Sequence, residues 1–409
     1  MEQANKRLII RQIISICACF FITMSATAQS SDSVRKLLQE EGFEDIKTYI
    51  VDDTLYAAFE DPTYRGTFRG AATAINKIAD SHVEIQNFEI VLTDYQMPQL
   101  IVHASKRGDI WDVSVDRDMR KALKLLRDET SQAASTGKID VTFVPMISLV
   151  NNKLDHLFDY AIRIAPAIAT TLWKGARLTV QPIFPILHNL GESETKRYIQ
   201  IGNANLSQQI LSNKRWQITA AAGFFYQDRI GLHANVGYHL CRNLDLYVNG
   251  GFTGEANYSK QKGFGVIRNS SKLNFMAKVD YYEPYTKLQM ELQGGRFLYG
   301  DYGGRLDVTR HFGEYAIGAY GILTEGEYNA GFHFAIPLGG KRQKRDSFIR
   351  LRLAEYYNME YSMQSYFKYW LERMGESYVT QPDANRSAHF WEPAFVQEYV
   401  QRMLNGDFQ

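Results

Sequence analysis

The stretch Ile230-Gly231-Leu232-His233-Ala234-Asn235-Val236-Gly237-Tyr238-His239-Leu240 decides the fold class. Its even positions are apolar and its odd positions are glycine, histidine or asparagine, a period of two that sends the two sets to opposite faces of an extended strand. The pattern recurs on even positions at Trp216 to Tyr226, Leu244 to Phe252, Leu288 to Leu292, Tyr302 to Phe312 and Phe332 to Leu338, and on odd ones at Leu273 to Tyr281. Ile139 to Leu149, Phe158 to Ile168 and Ala176 to Ile186 follow it less cleanly, Tyr198 to Leu211 is doubtful, and Tyr315 to Leu323 is short. Twelve strands are thus expected between residues 139 and 338, most of them 10 to 13 residues long. Soluble strands average about 5–6 residues, whereas a tilted strand crossing a bilayer takes roughly 9–11.

Two architectures fit long half-greasy strands, a secreted β-sandwich and an outer-membrane barrel, and their connections differ. A barrel alternates short turns with long loops; a sandwich has no such rule. The second, fourth, sixth, eighth and tenth connections are brief: Ala169 to Lys174, Ser212 to Asn213, Cys241 to Arg242, Glu283 to Tyr285, and Gly313. The three longest, Val150 to Leu157, Leu187 to Lys196 and Gly254 to Ser271, all fall on odd positions. The expected fold is therefore mostly β, an outer-membrane antiparallel barrel of about 12 to 14 strands, with short turns toward the periplasm.

Composition agrees. The 409 residues are 45 % hydrophobic and 13 % aromatic, and 46 basic side chains balance 45 acidic ones. A net charge of +1 gives no pull toward nucleic acid, and the apolar fraction excludes a disordered chain. Of 30 glycines, 20 fall between Gly223 and Gly340. At the N-terminus Lys6, Arg7 and Arg11 precede an apolar run from Ile13 to Met24, and Ala26-Thr27-Ala28 follows. That run of twelve residues is too short to span a bilayer but suits the core of a signal peptide, read over residues 1–28. Cleavage there leaves Cys241 as the sole cysteine, so neither an internal disulfide nor a cysteine-based zinc site is available.

Residues 29–130 read as an α/β domain. Val34, Leu37 and Leu38 have helical spacing; strands follow at Ile46 to Val51 and Leu55 to Phe59, a helix at Phe68 to Asp80, strands at Val83 to Thr93 and Gln99 to Ala104, and a last helix marked by Met119, Leu123 and Leu126. The order is roughly αββαβββα, and a segment of this size is expected to hold its own core. Residues 131–138 read as a linker, 139–340 as the barrel, with an extension to 361 if Ile349 to Tyr361 is a further strand. That strand would be the thirteenth and would break the even count, so either it lies outside the wall or another is hidden in Gly254 to Ser271. Residues 362–409 form a C-terminal extension with an amphipathic helix from Pro393 through Phe395, Val396, Tyr399, Val400, Met403 and Leu404.

Tyr281-Tyr282-Glu283-Pro284, Gly295-Arg296-Phe297-Leu298-Tyr299-Gly300-Asp301-Tyr302-Gly303, His311-Phe312-Gly313-Glu314-Tyr315, Asn329 to Leu338 and Pro382-Asp383-Ala384-Asn385-Arg386-Ser387 together resemble the exopolysaccharide-associated outer-membrane proteins of the YjbH type, in a Bacteroidetes-like version. The resemblance covers most of residues 45 to 395 and rests on strand texture and domain order. It implies a barrel in outer-membrane lipid, with a periplasmic α/β domain, that works with periplasmic export proteins on a capsule-like surface polysaccharide of a Gram-negative cell. Many members are longer, with two barrel-like parts; this chain has one.

No metalloprotease, nucleophile-elbow or phosphate-loop motif occurs. Ser33 to Lys36 and Ser135 to Lys138 match a four-residue serine–lysine pattern short enough to arise by chance. The expectation is a non-enzymatic protein without cofactor or metal. Its candidate residues are those on the inward phase: Arg163, Arg177, Arg215, Arg229, His233, His239, Tyr247, Lys278, Glu291, Arg305 and Asp307, accompanied by Asp159, Phe225, Asp245, Asp280 and His311. They either form salt bridges that fill the lumen or contact a passing polymer through arginine forks and aromatic faces. A passive porin, a secreted carbohydrate-binding sandwich and a lipid-modifying barrel enzyme are the alternatives.

Overall fold

The computed structural model describes residues 31–150, 159–190, 195–226, 228–259, 263–266, 272–363, 373–379 and 390–407. The signal peptide expected at residues 1–28, residues 151–157 and the Pro382 to Ser387 stretch lie outside them. The described strands form two sheets.

The smaller sheet follows the expected order. Helix α1 spans 31–41, then come β1 (Glu44–Val51), β2 (Thr54–Glu60), α2 (Arg69–Ser81), β3 (Asn87–Asp94), β4 (Met97–Arg107), β5 (Ile110–Asp116) and α3 (Arg120–Leu125). The strands lie in the order β1-β2-β3-β4-β5, antiparallel except β2–β3, whose crossover through α2 makes them parallel. On one face α3 sets Ala122, with the flanking Met119 and Leu126, against Tyr56, Val91 and Ile101.

The other face corrects the expectation of a self-sufficient domain. Its core includes Phe395, Val396, Tyr399, Val400 and Leu404 of helix α4 (Pro393–Leu404), from the far end of the chain. Phe68 lies 5.0 Å from Tyr399 and 5.8 Å from Phe395, ring to ring. Helix α4 also blocks a sheet edge: the N–H groups of Trp111 and Val115 donate to Asn405 Oδ1 and Gln397 Oε1, at 2.9 and 3.2 Å. Nor do residues 131–138 hang free, since Gln132 bridges to Ile46 and Ser135 is buried.

The larger sheet holds fifteen strands. They are β6 (Ile139–Val150), β7 (Asp159–Trp173), β8 (Ala176–His188), β9 (Gln200–Ser212), β10 (Trp216–Phe225), β11 (Arg229–Cys241), β12 (Leu244–Ser259), β13 (Gly263–Val266), β14 (Lys272–Glu283), β15 (Leu288–Arg296), β16 (Tyr302–Phe312), β17 (Tyr315–Thr324), β18 (Glu327–Pro337), β19 (Ile349–Leu353) and β20 (Tyr356–Ser362). The twelve expected strands are all present and pair in sequence order as an antiparallel meander; β13 only extends the upper end of β12.

The thirteenth expected strand is divided in two. β19 pairs in parallel with β6, Ile349 opposite Ile139 through Leu353 opposite Phe143. β20 pairs antiparallel with β18, Tyr356 opposite Pro337 through Ser362 opposite Gly331. Between them the Ala354 N–H donates to Phe143 O, while Glu355 O accepts from the Leu338 N–H. The segment therefore neither lies outside the sheet nor implies a full strand hidden in Gly254 to Ser271. The strand order is an open path whose two ends are successive pieces of one segment.

Side chains alternate as the sequence predicts, with inverted burial. Leu232, Val248, Leu292, Ile317 and Leu323 on the even or apolar phase are all more than half exposed. The opposite face buries Arg163, Gln181, Asn205, Arg229, Thr253, Asn274, Asp307, Thr309 and His311. Some glycines of the inner face are seats for rings: a Cβ at Gly237 would stand 2.7 Å from the Tyr247 ring, and one at Gly331 would stand 2.7 Å from that of Tyr320. Any larger residue would push those rings off the wall.

Candidate functional site

The inner face of the large sheet and the α/β domain docked against one end make up the site. That end is the one with the short turns. The Gly175 N–H of the β7–β8 turn donates to Tyr95 O, and Arg177 stacks on the Tyr95 ring at 4.8 Å. Lys214 pairs with Asp118 at 3.0 Å, and Lys287 with Glu398 at 2.6 Å. Glu314, in the β16–β17 turn, accepts from Arg65 Nε at 2.6 Å and Arg69 Nη2 at 3.0 Å, with all three side chains under a tenth exposed. Burial pushes the Glu314 carboxyl up, but the two guanidinium groups outweigh it and hold the group below its ordinary value.

A second buried network joins three parts of the chain. Arg117 reaches Asp245 at 3.2 Å, Glu392 at 3.8 Å, and the carbonyls of Arg242 and Trp391. Glu392 caps α4 by accepting from the Ala394 N–H. Burial pushes its carboxyl up to about 8; Arg117 opposes this only partly and Asp245 adds to it.

Ten of the eleven sequence-predicted residues lie on the inner face, and most of them have protein partners. Arg163 donates to Gln200 at 3.1 Å. Arg229 donates through Nε to Thr253 Oγ1 and through Nη2 to Thr253 O, and lies 5.4 Å from the Tyr299 ring. His239 contacts Asp245 at 2.8 Å, and the Tyr247 hydroxyl donates to Asp245 at 3.3 Å. Lys278 pairs with Glu291 at 2.8 Å and sits 4.7 Å from the Tyr247 ring. Arg305 forks onto both oxygens of Asp307, at 2.7 and 2.9 Å, and onto Glu360, over the Tyr320 ring at 3.9 Å. Arg215 is the correction. It lies in the β9–β10 turn, exposed, and donates to Tyr238 OH on the outer face; its odd number matches the inward phase, but β10 begins only at Trp216.

Sequence reasoning missed the tail that enters this space. Tyr378 packs 4.5 Å from His233 and 5.3 Å from Phe225, shares a 2.8 Å hydrogen bond with Thr253 Oγ1, and donates to Asn274 Oδ1. Glu376 O accepts from the Leu298 N–H, and Met374 joins Met276, Phe297, Tyr320 and Ile322 in an apolar cluster. Nearer the cap, Phe390 stacks on His311 at 4.2 Å. Tyr378 and Phe390 stand in a region without strand or helix periodicity, so no linear signal marked them.

Between this tail, the wall and the cap lies a cavity of about 470 Å³. Its wall comes from β9 to β15, one side from Glu376 to Tyr378, and its floor from Asp94, Tyr95, Gln99 and Trp391. On the outer face, exposed rings collect at the two ends of the strands: Trp173, Trp216, Phe312 and Tyr315 near the cap, and Phe275, Tyr302 and Tyr328 at the other end. Among the described residues no helix is long and apolar enough to cross a membrane. No protein-family model matches the chain, and no curated protein matches it.

Proposed function

We propose that this chain is an outer-membrane β-barrel, sealed along residues 349–362 and capped on its periplasmic end by the α/β domain. The observation that carries this reading is the inverted burial: twelve long strands expose their apolar phase and bury arginine, histidine, asparagine and aspartate. Water would drive such a sheet to hide the exposed face; hydrocarbon accepts it, and the aromatic belts fit the two interfaces. The bonds from the Ala354 N–H to β6 and from the Leu338 N–H to Glu355 support this reading, since they bring the two ends of the strand order to one segment, and a sheet in a membrane cannot leave its edges open.

The task proposed for this barrel is non-catalytic participation in export or assembly of a surface polysaccharide, on the strength of the family resemblance together with a cap and tail that a simple pore does not need. A passive porin fits less well because Tyr378 and Phe390 stand against inner-face residues. A soluble sandwich fits less well because its greasy faces would be packed together. The test is fractionation of the mature protein: recovery in outer membranes with heat-modifiable migration is expected. Recovery as a soluble periplasmic protein refutes the barrel, and unchanged surface polysaccharide after deletion of the gene refutes the task.

A further inference from the structure

We infer that the interior cavity is a binding site for an uncharged glycan segment, an inference that rests on the barrel reading above and names the ligand class of its lumen. Elsewhere on the inner wall polar side chains satisfy one another: Asn203 donates to Gln181, and Arg305 is held by Asp307 and Glu360. The cavity lining holds such pairs too, Gln99 with Gln209 and Tyr378 with Asn274, but four of its side chains stand outside them. Gln217, Thr219, Asn235 and Gln293 line it and make no side-chain hydrogen bond to protein among the described residues.

Three free amides present paired donors and acceptors to one space, the complement of vicinal hydroxyls, each of which is donor and acceptor at once. The register spreads them along the cavity wall: Asn235 lies opposite Thr219 on β10, and Gln217 and Gln293 stand at the two ends of the cross-strand row that runs through Gly237, Tyr247 and Lys278. Tyr247, Tyr378 and Trp391 of the lining are aromatic, the residue type against which the C–H face of a sugar ring packs. At about 470 Å³ the space falls within the roughly 300–1,000 Å³ of small-ligand sites.

Charge excludes the alternative of an anionic polymer here. Among the described residues the one lysine or arginine of the lining, Lys278, is paired with Glu291, while the acidic Asp94 and Glu376 also line the space. The arginines with forked geometry, Arg229 and Arg305, lie outside the lining and are already engaged. Amide recognition of a neutral chain therefore replaces arginine recognition of an acidic one.

The test is calorimetric titration of the full-length protein, folded in detergent, with maltotriose, cellotriose and trigalacturonate. Binding of a neutral trisaccharide but not of trigalacturonate is expected, weakened at least tenfold in Asn235→Leu and in Gln217→Leu. Heat-modifiable migration of each variant establishes that it folds. Trigalacturonate binding as well as the neutral probes, no binding of any probe by the folded protein, or undiminished binding by both folded variants would overturn the inference. A soluble, unshifted protein would instead strike at the barrel, so the two failures are read on different instruments.

Discussion

Replacing Val248 by arginine separates the two surroundings open to the exposed face of the large sheet. Val248 sits midway along the paired length of β12, opposite Val236 and Ala277, and is 60 % exposed. An arginine there meets the surroundings rather than neighbouring side chains. In water a surface substitution of this kind changes stability by about 0.5 kcal/mol or less. At a bilayer midplane the guanidinium must shed water or draw headgroups inward, which costs about 2–4 kcal/mol on the lipid face of a barrel. The folding equilibrium constant would fall roughly 30- to 900-fold. The assay is urea unfolding of protein folded into phosphocholine vesicles, followed by fluorescence and by gel shift. Val83→Arg, at a position 79 % exposed on the α/β domain, is the water-facing control. A large loss for Val248→Arg with little for the control is expected; equal shifts would mean that the exposed face does not meet lipid, and the barrel reading would fall.

Glu392 binds its proton more tightly folded than unfolded, so stability should decline as pH rises from about 4.5 to about 8 and level off above, a slope that Glu392→Gln should flatten in equilibrium unfolding across that window. Arg305→Ala leaves Asp307 and Glu360 without their fork, and should cost about 3–5 kcal/mol of stability while surface polysaccharide per folded barrel stays unchanged; a drop in that ratio would give Arg305 a direct role in transport. A protease site inserted between Phe264 and Gly265 should be cut on intact cells and one inserted at Gly108 should not, and the reverse result would invert the topology.

The wall of the large sheet was legible because period two is written into each strand separately. The doubtful Tyr198 to Leu211 became the firm strand β9 because its inward Asn203, Asn205 and Gln209 are amides, polar enough to line the interior yet weak as a pattern against Ser207 and Gln208. β5 has the same alternation in Trp111, Val113 and Val115 and is the third of the strands expected after the helix at Phe68 to Asp80. The inward charges could be chosen by phase alone, and only Arg215, just outside its strand, was misjudged. The split at Ala354 was illegible because neither half changes its alternation there; what changes is the neighbour, and neighbours are a property of topology. The tail on the inner face and the shared core of α4 were hidden for the same reason: an amphipathic helix announces that it has a partner without saying which.

That shared core has a consequence for biosynthesis. Most of the α/β core lies between Val34 and Val115, yet Phe395, Val396, Tyr399 and Val400, which close its interior, are made only after the whole large sheet. A chain stopped short of residue 393 would leave Phe68, Ile75 and Ile78 uncovered and the Trp111–Val115 edge open, and would present these to proteases and chaperones. Loop closure over more than three hundred residues must likewise precede docking, which sets the domain among the last parts to gain protection rather than the first. The molecule thereby couples completion of its α/β domain to synthesis of the large sheet and of helix α4.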